Sequence, residues 1–263
     1  MTQAAVTTPF ARLHHRDEPL LLPNAWDYAS AMAFAAQGFA AVGTTSLGVA
    51  AAVGVPDGAA ATREATLRLV PALGRGPFMV SVDAEGGFAA DPDAVGEFAR
   101  QLAVMGAVGV NLEDGAGSAA LHAAKIAAVK KAVPSLFVNA RTDTYWLGDG
   151  DERDTLRRLD AYQEAGADCV FVPGLSDPVR IEALVEHLDT PLNILYSPTG
   201  PPLPHLSDLG VRRVSLGSLL YRRALGAAVE AVADVRDGRT PCGEMPTYDY
   251  VQGLVPHQTT FAL

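Results

Sequence analysis

Phe78-Met79-Val80-Ser81-Val82-Asp83-Ala84-Glu85-Gly86-Gly87 is an apolar run that ends in two acids and a flexible pair of glycines. Moving outward, the same plan recurs twice. Ala107–Leu112 runs into Glu113-Asp114-Gly115, and Leu136–Ala140 runs into Arg141-Thr142-Asp143. Charges at the C-terminal ends of consecutive parallel strands, with helices between them, are how a (β/α)-barrel active site is written in sequence.

The rest of the chain extends that pattern. Further strands are predicted at Leu20–Leu22, Ala41–Thr45, Cys169–Val172, Leu192–Leu195 and Arg213–Leu216. Helical patterns fall between them, at Tyr28–Gln37, Arg63–Leu73, Pro92–Met105, Ala119–Ala132, Asp151–Ala165, Pro178–His187, Pro204–Leu209 and Ser218–Arg236. Short, continuous apolar runs suit strands covered by helices. Eight of them, each followed by a helix, predict one closed (β/α)8 TIM barrel over residues 1–238. Gly106, Gly166 and Gly210 each stand just past a helix and before a strand, and Asp91-Pro92 and Asp177-Pro178 read as helix starts. Residues 239–263 mix Pro, Gly, Thr and aromatics without a period, and read as a C-terminal tail or an arm packing on a neighbouring subunit.

Bulk properties narrow the function. At 263 residues the length fits one barrel, which needs roughly 250. A net charge of −10 argues against nucleic acid, whose phosphates such a surface would repel. No apolar run approaches the roughly 18 residues of a membrane span, and Met1–Arg16 lacks a signal-peptide pattern. Cys169 and Cys242 have no metal-ligand spacing, and Cys169, inside a strand, reads as a small buried hydrophobe. A cytoplasmic enzyme is the expectation.

Asp83 and Glu85 stand two apart, so in extended chain they face the same way, and Gly86-Gly87 lets the backbone turn beside a ligand. Glu113 ends the next strand. Carboxylate oxygens alone suit Mg²⁺ or Mn²⁺. Arg141 offers a planar fork that matches a carboxylate or phosphoryl group, and also a neutralising partner for Glu113 or Asp143. Thr44-Thr45-Ser46-Leu47-Gly48 supplies hydroxyls and N–H groups to an anion, or is a plain Ser/Thr turn. Asp57 sits in a turn, Val55-Pro56-Asp57-Gly58, and Asn193 is a further candidate to contact substrate.

In these blocks, taken in order with Pro23-Asn24-Ala25-Trp26-Asp27, the chain resembles the isocitrate lyase/phosphoenolpyruvate mutase superfamily. The resemblance implies a (β/α)8 barrel and a homo-oligomer, dimer or tetramer, whose subunits exchange a C-terminal helix. It implies Mg²⁺, with Asp83 as main metal carboxylate and Glu85, Glu113 and Asp57 as direct or water-mediated contacts. Arg141 would hold the substrate's carboxylate or reacting group, and Thr45, Ser46 and Leu47 the 2-oxo acid end. The substrate class is a small 2-oxo or 2-hydroxy (di)carboxylic acid or a phosphonate, cleaved through a metal-stabilised pyruvate-type enolate. Two departures matter. Asp83-Ala84-Glu85 replaces the family's Asp-x-Asp, and Glu113-Asp114-Gly115-Ala116-Gly117-Ser118 lacks the Lys-Lys-Cys-Gly-His lid of isocitrate-type lyases. That leaves Tyr145, Ser118 and His122 as the side chains on offer for a general base.

A Mg²⁺-dependent lyase or decarboxylase acting on a small anionic carboxylate is therefore the expected function. Loss of CO₂ from an oxaloacetate-like acid asks for no dedicated acid. The alternatives are a P–C bond enzyme of phosphonomutase or phosphonopyruvate hydrolase type, and a barrel that binds 2-oxo acids without catalysis.

Overall fold

The computed structural model describes residues 8–148 and 150–255. Nine parallel segments make one sheet: β1 (Leu20–Leu22), β2 (Asn24–Ala25), β3 (Ala41–Thr44), β4 (Met79–Asp83), β5 (Ala107–Glu113), β6 (Phe137–Arg141), β7 (Cys169–Val172), β8 (Leu192–Leu195) and β9 (Arg213–Ser215). β1 and β2 are one strand interrupted at Pro23, which has no N–H to give a ladder. On one side Leu20 pairs with Arg213 of β9, and on the other Asn24 pairs with Gly43 of β3. The two ends of the sheet thus meet on the same strand, and eight strand positions close the predicted (β/α)8 barrel.

Side-chain alternation divides the interior into layers. Val80, Val82, Val110, Leu112, Val138, Ala140, Val170, Val172, Ile194 and Val214 pack with the surrounding helices in one buried apolar cluster. Each such Val or Leu contributes about 1.5–3 kcal/mol by leaving water. Their neighbours along the strands belong to the barrel interior. At its lower end Phe10, Leu13, Leu22, Ala41, Phe137 and Cys169 form a separate apolar layer. Higher up the interior turns polar.

The helices are α1 (Pro9–Arg12), α2 (Tyr28–Ala36), α3 (Ser46–Val53), α4 (Arg63–Leu73), α5 (Pro92–Val104), α6 (Ala119–Ala132), α7 (Glu152–Glu164), α8 (Pro178–His187), α9 (Leu203–Asp208), α10 (Leu219–Arg236) and α11 (Tyr248–Gly253). Local chemistry explains their starts. Asp91 and Asp177 cap α5 and α8 ahead of Pro92 and Pro178, and Asp27 and Ser30 form a reciprocal capping box on α2. Gly106 turns with φ 100°, and a Cβ there would lie 2.8 Å from Gly74 Cα, so only glycine fits.

Two elements differ from expectation. The segment after β3, read as a loop, forms α3. Its Ala-rich sequence favours helix, and Gly54 ends it in the left-handed conformation. α1, with the 3-10 turn Leu13–His15, closes the bottom of the barrel through Phe10, which meets Phe137 edge-on at 5.2 Å. A Cβ at residue 109 would sit 2.9 Å from the Phe10 ring, so Gly109 makes room for this plug. In the tail, α11 is formed, and residues 256–263, with His257, lie outside the described residues.

Candidate active site

The C-terminal strand ends surround a cavity of about 500 Å³. Asp83 lines it, held in place by its neighbours. Its N–H donates to Thr44 Oγ1 at 2.8 Å, fixing the strand end against β3. Asp83 Oδ2 accepts from Ser46 N at 3.0 Å, and Oδ1 accepts from Asn111 Nδ2 at 3.2 Å. Ser46 is the first residue of α3, so the carboxylate rests on the free N–H end of a helix, where negative charge is favoured. Thr45, Ser46, Leu47 and Asp57 also line the cavity.

Arg141 enters from β6 between two acids. Its Nη1 lies 2.8 Å from Glu113 Oε2, and its Nε donates to Asp143 Oδ1 at 2.6 Å. The register places Glu113 directly beside Arg141, and the guanidinium lies 5.9 Å from the Phe171 ring. Burial pushes the Glu113 carboxyl up to about 8. Arg141 opposes that shift, while Asp83, Asp143 and Glu85 add to it. Asp143 is also raised by burial, against the pull of Arg141, and its Oδ2 is buried without a hydrogen-bond partner.

Several expected residues sit elsewhere. Glu85 does not line the cavity. Its φ of 46° breaks the extended chain that would have kept it facing with Asp83. Its carboxylate instead accepts from Ala60 N at 2.9 Å and from the Thr62 hydroxyl, tying down the loop that carries Asp57. Asn193 is fully buried, is not among the residues lining the cavity, and donates to Ser215 Oγ at 3.0 Å. The three candidate bases are also absent from the cavity wall. Ser118 caps α6, the Tyr145 hydroxyl oxygen accepts from Arg180 Nη1, and His122 is buried edge-on against Tyr162. Asp114 is a structural acid, accepting from Tyr162 and Thr142 hydroxyls, Arg158, and the N–H groups of Ala116 and Asp143. Burial alone would raise its carboxyl, yet those bonds hold it below the usual range.

Residues not singled out in the sequence also reach the cavity: Ser81, Asn111, Arg213 and Ser215, joined by Asn24 and Thr44 from blocks the sequence had marked. Asn24 ties the ring together, donating to Thr44 O and accepting from Leu216 and Gly217 N–H groups. Most of the others stand two residues before, or on strands adjoining, the marked ends. Counting back by two along each strand would have found Ser81 and Asn111.

The donors present suit a hard divalent cation. Asp57, Asp83, Glu113 and Asp143 face the cavity against Arg141 and Arg213. Glu113 is raised first by burial, and the neighbouring carboxylates add to that. Among the described residues, no cluster of three His, Cys, Asp or Glu is placed to hold a metal alone. One or two carboxylates, with a shell completed by water and ligand oxygens, is the donor set Mg²⁺ typically takes.

A family model described as phosphoenolpyruvate phosphomutase matches residues 10–236. The chain belongs to that family, within the isocitrate lyase/phosphoenolpyruvate mutase superfamily. An uncharacterised protein of Mycobacterium tuberculosis is 43% identical to this family member over 254 residues, covering 95% of this chain and 97% of the relative. An oxaloacetate decarboxylase of Pseudomonas aeruginosa is 36% identical over 106 residues, 39% of this chain and 36% of the relative. A provisionally named lyase/mutase of Burkholderia cenocepacia shares the fold at 36% identity and TM-score 0.81, over 94% of this chain and 91% of that structure. Members of the superfamily include lyases and mutases, and the short Glu113–Ser118 loop of this phosphomutase-family chain leads straight into α6.

Proposed function

We propose that this chain is a Mg²⁺-dependent lyase that breaks a C–C bond in a small 2-oxo or 2-hydroxy (di)carboxylic acid, with decarboxylation of an oxaloacetate-type acid as the leading reaction. The observation that carries this reading is Arg141, clamped between Glu113 and Asp143 in an acid-lined cavity beside Asp83. The oxaloacetate decarboxylase relative agrees with it.

Arg141 binds and orients a substrate carboxylate through its planar fork. Leu47, Phe171, Pro173 and Leu195 form apolar wall, which strips water from the carboxylate that leaves. The bond to that carboxylate breaks, CO₂ departs, and the electron pair moves toward the 2-oxo oxygen. The carbon left behind then takes a proton from solvent, so no acid on the β5–α6 loop is needed. Asp83 and Glu113, with Asp57 through water, would hold Mg²⁺, which when bound supplies positive charge at the oxygen where negative charge gathers. Asp83 is positioned for this by Ser46 N–H and Asn111.

P–C bond chemistry is the second reading, favoured by the description of the matching family model. We also propose a homo-oligomer. None of the residues of α10 is buried, and Leu225, Val229, Val232 and Val235 lie exposed at helical spacing. Exchange of this helix between subunits would cover that stripe. No helix among the described residues is long and apolar enough to cross a membrane. Both cysteines are free, which agrees with the cytoplasm as the working compartment.

Calorimetric titration with oxalate, a planar dianion, tests the site. Binding that requires Mg²⁺ and weakens sharply in Asp83→Ala is expected. Equal binding with EDTA present would remove the metal from the proposal.

A further inference from the structure

Arg213 is the least expected side chain in the barrel. It is 3% exposed and lies on β9, whose ring position is diametrically opposite β5 and Glu113. Its Nε donates to Ser215 Oγ at 3.1 Å, while its buried Nη1 has no hydrogen-bond partner. Among the described residues no carboxylate lies within ion-pair distance of it, unlike Arg141, which has two. Burying an unpaired guanidinium is strongly unfavourable unless something compensates it.

The surroundings say what the compensation is. Arg213 lines the cavity together with Ser81 and Ser215. Below it the interior closes with the apolar layer of Phe10, Leu22, Phe137 and Cys169, which offers no counter-charge. Ser81 Oγ is likewise buried without a partner. A cation offset only by the more distant charge of Asp83, and a free hydroxyl, therefore face the floor of a cavity whose opposite wall is acidic. Among small groups, a carboxylate matches the guanidinium fork and accepts from the serine as well.

We propose that Arg213, with Ser81 and Ser215, is a specificity-determining anion subsite that takes a second carboxylate of the substrate, distinct from the one held by Arg141. The two guanidinium groups then select diacids over monoacids of equal length. This rests on the reading of the cavity as a 2-oxo or 2-hydroxy acid site, and it assigns the discrimination within that class to a residue of β9.

The test uses a matched pair, L-malate and 2-hydroxybutyrate, which differ by a carboxylate in place of a methyl group. Each is titrated calorimetrically into the full-length protein with Mg²⁺ present. Malate should bind at least about tenfold more tightly, since a charge-assisted contact contributes about 1.5–3 kcal/mol. Arg213→Met should abolish most of that preference while leaving 2-hydroxybutyrate within about twofold. Arg213→Lys should keep part of it, and it serves also if the Met variant fails to fold. A preference below twofold in the unaltered protein overturns the proposal without any variant. So does an unchanged preference in either variant, which would make Arg213 a structural, hydrated group. Weakened binding of both acids alike would assign Arg213 to the end they share and equally overturn it. If neither acid binds the unaltered protein, the reading of the cavity falls and the subsite falls with it.

Discussion

Arg141 is shared between two carboxylates, Glu113 at 2.8 Å and Asp143 at 2.6 Å, so its plane is fixed ahead of any ligand. A lysine could keep the charge but neither the plane nor both contacts. Arg141→Lys should therefore raise KM by about 10- to 100-fold, the equivalent of one charge-assisted hydrogen bond. An unchanged KM would make Arg141 a purely structural partner of its two acids. The residues gathered here were legible to very different degrees. Asp83, Glu113 and Arg141 announce themselves because a charge that ends an apolar run has few other places to point. Glu85 misleads because one backbone angle, φ 46°, turns it from the cavity to the loop at Ala60 and Thr62. Arg213 is invisible for a different reason. Nothing in a strand of three residues says which face looks inward, and arginine is by default a surface residue.

At the scale of elements, the strands could be read because both their faces are covered and their apolar runs are unbroken. The N-terminal plug could not, because a short helix such as Pro9–Arg12 has too few turns to show a period. That plug carries a testable signature. His14 is fully buried on it, stacked on Phe137 at 4.1 Å, with Nδ1 3.1 Å from Phe10 O. Burial, and then the positive charge of Arg213, push its pKa from 6.5 down to about 3. Between those values the unfolded chain takes up a proton that the folded chain refuses, so stability falls as pH drops below 6.5. The slope approaches about 1.4 kcal/mol per pH unit for such a group. His122, lowered to about 4 mainly by burial, adds to it at pH values above its own pKa. Glu113, raised from 4.5 to about 8, opposes the histidines over the same range, so the test is a difference between proteins. In denaturant unfolding from pH 7 to pH 5, His14→Phe should lose less stability than the unaltered protein, by about one proton's worth. An identical slope in the variant would mean that His14 titrates normally.

For the whole molecule, α10 is the element that a single barrel leaves unexplained. This 18-residue helix has no buried residue and exposes a stripe of Leu225, Val229, Val232 and Val235, which the proposed oligomer would cover. Val229→Glu combined with Val232→Glu should shift the protein to a smaller species in light scattering and lower its melting temperature. An unchanged mass would mean that the stripe is not a subunit contact. The helix itself was legible from its period, whereas what it packs against is not written in one chain.

The most direct measurement is pyruvate release from oxaloacetate by the purified protein, with Mg²⁺ and then with EDTA, beside Asp83→Ala. Release well above the metal-only background is expected, lost with EDTA and reduced about 10²- to 10³-fold in the variant, the cost of removing one electrostatic contact to the developing charge. Release that persists unchanged in Asp83→Ala, or none above background from a protein that binds oxalate with Mg²⁺, would contradict decarboxylation at this site.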